Sequence, residues 1–402
     1  MEKTKSLRLA FVYHVPFWEQ DGQIWTNFPP IGSYVESLTP HYKKVTIISP
    51  QRSDIHMPLY CLQASNISLI TVKPHPNIQS YYLHLLHFYF SCFQSARDWD
   101  LLNVRMPTFL GFPAYLASRF YRKPVFLVVV GENYSFNTFS DYSRIKKWIA
   151  GTVARIQDSL MKKMIRHSLT FTNGKDLFEK YKPLNDHTYL MRSSTISAAD
   201  ILPGYRSTCN KKPYKILTVA IVAPRKGTSL IPAIISILKQ KGIDVTWTHI
   251  GNIDGNAGEQ ELQKTMKLAA DLGVSSQINF HEAIGFDELM PVYRSSDMFV
   301  LPTYMEGIPR VILEAQASGL PVITTSVGGI PQVVKQGVDG LLTSPGDSQA
   351  MAEAIRQIIQ NSNLRQKLIR NGLQTARELT LESETRRMVE KVNDYYYSTH
   401  DL

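Results

Sequence analysis

The spacing of apolar, strand-like segments constrains the fold of this chain more than any other feature. Twelve such segments recur along its 402 residues, and most are separated by a stretch long enough for a helix. The first series lies at residues 7–16, 44–50, 67–72, 101–106, 124–131 and 169–172, and the second at 215–223, 245–251, 278–281, 298–301, 321–325 and 341–342. Alternation of this kind is typical of parallel sheets with helices on both faces. The sequence therefore predicts an α/β fold with two doubly wound, Rossmann-like domains.

A short polar segment separates the two series. Between residues 203 and 213, Gly, Pro, Ser, Asn and Lys replace the apolar periodicity, as expected of a domain boundary. We therefore predict a first domain at 1–205, a second at 206–380, and a final helix within 381–402.

Composition limits the kinds of site and location. Cys61, Cys92 and Cys209 are far apart and lack metal-ligand spacing, so we expect reduced thiols and no metal site. The apolar run at 7–15 is short and contains Arg8 and His14, which is unlike a signal peptide or a membrane span. A cytoplasmic protein is expected. No Gly-x-Gly-x-x-Gly follows the first strand of either domain, which argues against a dinucleotide cofactor.

Positive charge is concentrated in the first half. Residues 1–205 contain 23 Lys and Arg against 14 Asp and Glu, a net +9, whereas residues 206–402 contain 21 against 20. Residues 144–166 alone have seven basic side chains and one acidic one, and residues 81–93 are rich in Tyr, Phe and Leu. Both segments fit ordinary amphipathic helices. The alternative is peripheral contact with an anionic membrane. Nucleic acid is not expected, because no recognition motif accompanies the charge.

Two carboxylates eight positions apart form the strongest functional signal. Glu306 precedes Pro309, which is suited to the first turn of a helix, and Glu314 follows within that apolar helix. A buried carboxylate needs hydrogen-bond donors, and the vicinal diol of a ribose supplies two. The pattern indicates a sugar-nucleotide site. The alternative is one surface Glu and one Glu favoured by the helix dipole.

Two further loops follow predicted strands. Gly328 and Gly329 lie between a strand and a helix, where backbone can approach a ligand and N–H groups can face an anion. Arg225 and Lys226 follow the first strand of the second series and can meet a diphosphate.

These residues resemble the C-terminal domain of family-4 retaining glycosyltransferases, which have the GT-B fold. The resemblance rests on the segment EGIPRVILEAQASGLPVITTSVGGIPQVV, on residues 337–342, and on Arg225-Lys226-Gly227. It implies that two Rossmann-like domains face a central cleft, and that the final helix crosses back to the first domain. The first domain would bind the acceptor and the second the nucleotide-sugar donor.

The resemblance also implies roles for individual residues. The implied catalytic residues are Glu306, which orients the sugar hydroxyls, and Lys226 with Arg225, which contact the donor phosphates. The candidate donor-binding residues are Glu314, Gly307, Ile308, Pro309, Gly328, Gly329, Gly251, Glu282 and Gly32. Glu314 would hold the ribose, Gly251 and Glu282 end strands beside a base pocket, and Gly32 is either near the phosphates or a plain turn glycine. The implied reaction retains the anomeric configuration and needs no metal or other cofactor.

This sequence departs from the family pattern at four places. The family often has its arginine several residues before the lysine, in a longer loop, whereas Arg225 directly precedes Lys226 here. Val130 stands where many members have a histidine, Gln332 where glutamate is frequent, and Glu282 where glycine is common. Glu132 and Asn133 remain as polar acceptor candidates after the preceding strand.

The expected activity is transfer from a UDP- or GDP-sugar to a saccharide or lipid-linked acceptor in surface polysaccharide or glycolipid biosynthesis, in the cytoplasm or at the inner membrane face. A non-catalytic GT-B subunit that binds glycan or a partner enzyme, and a nucleotide-sugar epimerase, are the alternatives.

Overall fold

The chain divides into two units, the first of which is not continuous in sequence. The computed structural model describes residues 3–50, 60–72, 89–131, 144–192 and 194–397. One unit contains Met1–Arg192 together with Glu382–Leu402, and the other contains Ser193–Leu381. Each has a parallel sheet and helices, which confirms the α/β class with two Rossmann-like domains.

The first unit is built on a seven-stranded parallel sheet. Its strands are β1 (Arg8–Val12), β4 (Lys44–Pro50), β6 (Ile67–Val72), β7 (Leu101–Met106), β8 (Val125–Val129), β9 (Leu169–Asn173) and β10 (Thr188–Met191). Their order is β10-β9-β8-β7-β1-β4-β6. Helices of this part of the chain include α1 (Pro29–Leu38), α2 (Gly111–Phe120), α3 (Arg144–Arg166) and α4 (Lys175–Tyr181), and residues 89–95 are also helical. Strands β1 and β8 are almost entirely buried, as expected of strands covered on both faces.

A small antiparallel sheet in this unit was not predicted. It contains β2 (Phe17–Gln20), β3 (Gln23–Thr26) and β5 (Tyr60–Cys61) in the order β2-β3-β5. Gln20 pairs with Gln23, so only Asp21 and Gly22 form the turn, and both have positive φ, at 54° and 74°. Positive φ at both central residues is the type I′ geometry that Asp-Gly favours. The Asp-Gly pair is therefore the sequence signal that identifies this hairpin.

The second unit has a six-stranded parallel sheet. Its strands are β11 (Tyr214–Val219), β12 (Val245–Ile250), β13 (Ile278–His281), β14 (Met298–Leu301), β15 (Val322–Thr325) and β16 (Leu341–Thr343), in the order β13-β12-β11-β14-β15-β16. Its helices are α5 (Ile231–Gln240), α6 (Gly255–Asp271), α7 (Phe286–Ser295), α8 (Arg310–Ala317), α9 (Ser348–Gln360) and α10 (Ser362–Glu378). Two apolar clusters cover its faces, one including Phe299 and Leu313, the other including Trp247 and Ile355.

The chain order reverses near the middle of each sheet. In the first unit the reversal lies between β1 and β7, and in the second it lies between β11 and β14. The connections from these paired strands run to opposite edges, which leaves a crevice beyond their carboxyl ends. Ligands of open α/β sheets bind in such crevices.

The last helix, α11 (Leu381–Tyr397), packs in the first unit. The Ser37 and Thr385 hydroxyls are 2.7 Å apart, and the Tyr396 hydroxyl donates to the Val125 carbonyl.

The division between the units falls at Ser193, upstream of the boundary expected after residue 205. Ile196 is buried in a core cluster of the second unit, and the Leu202 N–H donates to the Ala317 carbonyl at 2.8 Å. Pro203 and Gly204 mark an exposed turn within the second unit.

His249 in β12 makes the stability of the second unit dependent on pH. A ring nitrogen lies 2.9 Å from the Ala220 carbonyl oxygen, and burial lowers the pKa of His249 to about 4. In the unfolded chain this ring is protonated below about pH 6.5, so unfolding takes up a proton between that pH and pH 4. As the pH is lowered through this window, the free energy of unfolding should fall by up to about 3 kcal/mol. Urea unfolding of wild type and His249→Gln at several pH values tests this. A fall of equal size in both proteins would contradict it.

Candidate active site

The loops that follow β11 and β14 are in direct backbone contact. The Tyr304 N–H donates to the Arg225 carbonyl at 2.8 Å, and the Thr303 hydroxyl donates to the same oxygen at 3.0 Å. Gly227 has a φ of 68°, and a Cβ at this position would lie 1.9 Å from the Pro302 carbonyl oxygen. Only glycine fits here. The chain thereby holds Lys226 and Glu306 beside each other, 80 positions apart in sequence.

Lys226 and Glu306 form an ion pair at the reversal of chain order. The Lys226 Nζ donates to Glu306 Oε1, and the two side chains are only 13% and 10% exposed. A largely buried ion pair loses most of its hydration. Each charged group must therefore be neutralised, either by the other group or by a ligand of opposite charge. The structure thus joins two of the predicted site residues. An anion that reaches Lys226 would release Glu306 for other contacts.

Gly328 and Gly329 support the loop that contains Glu306. A Cβ on Gly328, which has a φ of 49°, would lie 1.8 Å from the Glu306 carbonyl oxygen, and a Cβ on Gly329 would lie 2.3 Å from that of Gly307. The Gly329 N–H donates to the Glu306 carbonyl at 3.3 Å. The missing side chains therefore make room for protein backbone, whereas the glycine pair had predicted a close approach by a ligand.

Glu314 is buried in α8 and bonded by protein hydroxyls. It is 6% exposed. The Thr195 hydroxyl donates to its Oε1 at 2.7 Å, and the Tyr293 hydroxyl donates to its Oε2 at 3.0 Å. Burial raises the pKa of Glu314, and these two hydrogen bonds act in the opposite direction. A carboxylate offers about four lone-pair positions, so roughly two remain after these bonds.

Sequence reasoning missed Thr195 and Tyr293. Thr195 lies 119 positions before Glu314, in the segment that was assigned to the first domain, and Tyr293 lies 21 positions before it in α7. No local motif links them to Glu314. Only the folded chain brings the three residues together.

Residues 206–375 match the model of the family described as glycosyl transferases group 1. This domain belongs to the group 1 glycosyl transferases. The matched segment contains Lys226, Glu306, Glu314 and both supporting glycines.

Similar curated proteins match part of this chain. D-inositol 3-phosphate glycosyltransferase from Corynebacterium jeikeium is 38% identical over 109 residues, which is 27% of this chain and 26% of that protein. The Salinispora tropica protein of the same name is 28% identical over 202 residues, covering 49% of this chain and 41% of its own. The chain thus spans well under half the length of these relatives.

Solved structures resemble the whole chain. The Anabaena protein HepE, solved in complex with UDP, has a TM-score of 0.67 and 16% identity, with 96% of this chain and 100% of that chain covered. A sucrose-phosphate synthase from Thermosynechococcus elongatus has a TM-score of 0.68 and 16% identity over 98% of this chain and 100% of that one. This likeness confirms the GT-B fold.

Other predicted residues of the group 1 domain lie at strand ends. A Cβ on Gly251 would lie 1.9 Å from the Ala220 carbonyl oxygen, so this glycine also makes room for backbone. The Asn252 side-chain oxygen accepts from the Ala283 N–H at 3.0 Å, which ties the loops after β12 and β13 together. Glu282 is exposed beside this contact.

The loop before α8 differs slightly from the prediction. Pro309 is the residue before the first helical position, Arg310, so the helix begins one residue later than expected. Gly307 is exposed and Ile308 is half-buried. Arg225 is exposed, unlike its neighbour Lys226.

Three predicted site residues, Gly32, Glu132 and Asn133, belong to the first unit. Gly32 lies within α1, where a Cβ would meet the Tyr60 ring at 2.4 Å. The turn interpretation is therefore wrong, and the placement of Gly32 near the donor phosphates stays a prediction. Glu132 and Asn133 lie outside the described residues.

Substitution of Gly328 should disturb the Glu306 loop more than a comparable glycine change. Gly337 also has a positive φ, of 67°, but no atom lies within 4 Å of the position that a Cβ would take there. Gly337→Ala should cost only the backbone strain of about 1–2 kcal/mol. Gly328→Ala adds a backbone clash and should lower the melting temperature by several degrees more. Equal losses in thermal unfolding would contradict this assignment.

Proposed function

We propose that this protein is a family-4 retaining glycosyltransferase that transfers a sugar from a nucleotide diphosphate sugar to a saccharide or lipid-linked acceptor. The observation that carries the proposal is the buried Lys226–Glu306 pair in a group 1 domain, at the reversal of chain order between β11 and β14. Ligands of open α/β sheets bind at such positions.

In this proposal the donor diphosphate replaces Glu306 as the partner of Lys226. Phosphate oxygens accept strong, charge-assisted hydrogen bonds from an ammonium group. Glu306, released from Lys226, then accepts hydrogen bonds from the sugar hydroxyls. Exposed Arg225 adds positive charge at the same loop.

Glu314 holds the ribose through the lone pairs that Thr195 and Tyr293 leave unused. Each carboxylate oxygen accepts one protein hydroxyl, and each can accept one more from the two hydroxyls of a ribose. Gly251, Glu282 and the neighbouring loop ends would border the base. UDP is the first candidate nucleotide, because the similar Anabaena protein was solved with UDP and with UDP-glucose. GDP is the alternative.

The proposed reaction exchanges one glycosidic bond for another without a metal. The bond from the anomeric carbon to the diphosphate oxygen breaks, and a bond to the acceptor oxygen forms on the same face of the sugar. The acceptor proton passes to a leaving-phosphate oxygen. Lys226 stabilises the negative charge that develops on the diphosphate.

The first unit is proposed to receive the acceptor at the inner face of a membrane, in surface polysaccharide or glycolipid assembly. Basic helix α3 exposes Val153 and Ile156, the latter to 53%. Anionic lipids attract such basic segments. Within the described ranges, no helix has both the length and the apolar character required to cross a bilayer.

The first experiment measures thermal stabilisation by UDP, GDP and ADP. A ligand that binds only the native state at 100 times its dissociation constant adds about 2.7 kcal/mol. Stabilisation by one diphosphate should occur in wild type and in the control Lys267→Ala, an exposed lysine of α6, and should be lost in Lys226→Ala. No shift with any nucleotide would favour the non-catalytic subunit that Val130 and Gln332 suggest.

The two glutamates should separate binding from transfer. Glu314→Gln should weaken nucleotide binding by about tenfold, the effect of losing one charge-assisted hydrogen bond. Glu306→Gln should lower sugar transfer strongly without weakening nucleotide binding, because it removes the carboxylate that competes with the diphosphate for Lys226. Calorimetry with the nucleotide and product analysis with radiolabelled donor measure these effects. Equal effects of both substitutions would contradict the division of roles, and conversion of the donor without acceptor would indicate an epimerase.

Tyr293 and Thr195 should act on nucleotide binding through Glu314. Tyr293→Phe and Thr195→Val each remove one hydroxyl that donates to this carboxylate. We expect each to raise the nucleotide dissociation constant several-fold, and neither to add a loss in the Glu314→Gln background. Calorimetry on the single and double variants tests this coupling. Additive losses would show that the hydroxyls act independently of Glu314.

A further inference from the structure

The first unit has an unusual cation at its own reversal of chain order. Arg105 is the penultimate residue of β7, the strand beside β1. Its guanidinium carbon lies 4.6 Å from the centre of the Tyr34 ring and 5.7 Å from that of Tyr13, the residue after β1. The guanidinium is therefore located at the carboxyl ends of the two strands between which an open α/β sheet binds ligands.

This guanidinium lacks a carboxylate partner among the described residues. Its Nη1 is buried without a hydrogen-bond partner, and no salt bridge to Arg105 is formed within those ranges. Burial lowers the pKa of Arg105, and Tyr34 and Tyr13 oppose this effect through their charge and through hydrogen bonds between their hydroxyls and the guanidinium. Tyrosine rings attract a cation through their faces, but they do not neutralise its charge.

A half-buried guanidinium without a carboxylate is costly. Arg365, which is also buried, has an unpartnered Nε, but its Nη1 donates to the Ile358 and Ile359 carbonyls. Arg105 has no such acceptor at its Nη1. An N–H group left without a partner costs roughly 1–3 kcal/mol in a folded protein, more when it is charged. Retaining arginine here is explained if a ligand supplies the missing acceptor.

Polar groups from the chain after β1 complete the environment. His14 lies two residues after β1, is exposed, and has its Nδ1 3.2 Å from the Pro107 carbonyl oxygen. With Nδ1 donating to that carbonyl, Nε2 is the ring atom left to face a ligand. The His14 and Tyr13 rings are in contact, with centroids 4.1 Å apart.

We propose that Arg105, beside Tyr13 and His14, forms an oxyanion-binding site that receives an acidic group of the acceptor. The group is a phosphate or a carboxylate, both of which match the planar fork of a guanidinium. The sugar would therefore be transferred to an acceptor that carries negative charge near the accepting hydroxyl. The assignment of this anion to the acceptor rests on the proposed function. The binding of an oxyanion at Arg105 does not depend on that function.

The alternative is a purely structural arginine held by two tyrosine rings. That interpretation accounts for the stacking, and it predicts that no anion affects the first unit. The unpartnered Nη1 and the location at the strand reversal are the two observations that it leaves unexplained.

The test uses inorganic phosphate as the probe, in a background that removes the other phosphate-binding cation. Thermal unfolding of Lys226→Ala is measured with sodium phosphate, sodium acetate or sodium chloride at equal ionic strength. Phosphate, acetate or both should raise the melting temperature above that in chloride, and the effect should vanish in Lys226→Ala/Arg105→Met. A shift with phosphate alone indicates a phosphorylated acceptor, and a shift with acetate indicates a carboxylate.

Two results would overturn the site. One is the absence of a shift with either oxyanion in Lys226→Ala, and the other is an equal shift after Arg105 is replaced. If Arg105→Met does not fold, Arg105→Lys decides, because it keeps the charge and loses the fork. It should raise the oxyanion dissociation constant by about tenfold, and an unchanged constant would contradict the proposal.

The same variants separate this site from the donor site. Arg105→Met with Lys226 intact should keep its stabilisation by UDP or GDP. Oxyanion stabilisation without any nucleotide effect would refute the proposed function and retain the site. The reverse result would retain the donor site and refute this one.

Discussion

Close backbone packing around the loop after β14 is the constraint on which the candidate site depends. Gly227 fits against the Pro302 carbonyl, and Gly328 fits against the carbonyl of Glu306. A Cβ at either position would lie within 2 Å of a carbonyl oxygen. The loops that contain these glycines can therefore pack against the loop after β14 only because they have no side chain there. The result is a rigid position for Glu306 although it lies in a loop. Functional carboxylates need such support, because small displacements change hydrogen-bond geometry.

Charge is balanced differently in the two units. In the group 1 domain, Lys226 and Glu306 neutralise each other, so this pair has no net charge without a ligand. Glu314 keeps its buried position with help from two neutral hydroxyls. In the first unit, the Arg105 guanidinium lies 4.6 and 5.7 Å from the ring centres of Tyr34 and Tyr13, and it has no carboxylate partner among the described residues. Lys226 and Arg105 both lie where the chain order of a sheet reverses. Lys226 has an ion-pair partner at this position, whereas Arg105 has none within the described ranges.

Local sequence predicted the framework well and the long-range contacts poorly. Most central strands follow from buried apolar runs, and β4, β6, β7, β13 and β14 have the predicted bounds. The edge strand β10 was missed because only its two end residues, Thr188 and Met191, are buried, so it has no continuous apolar run. The glutamate pair was visible as a motif, whereas the contribution of Thr195 depends on a contact across 119 positions. Glycine identity predicted close approach, but it could not show whether a ligand or backbone makes that approach.

The return of α11 to the first unit makes the second unit an insertion within the first. The Leu381 N–H donates to the Ile196 carbonyl at 2.9 Å, so the ends of the inserted unit are hydrogen-bonded to each other. During synthesis from the N-terminus, residues 193–381 are complete before α11 leaves the ribosome. Domains generally fold as they emerge, with the N-terminal one first. Here the order is inverted: the group 1 domain can reach its native structure while the first unit still lacks the helix that contacts Ser37 and Val125.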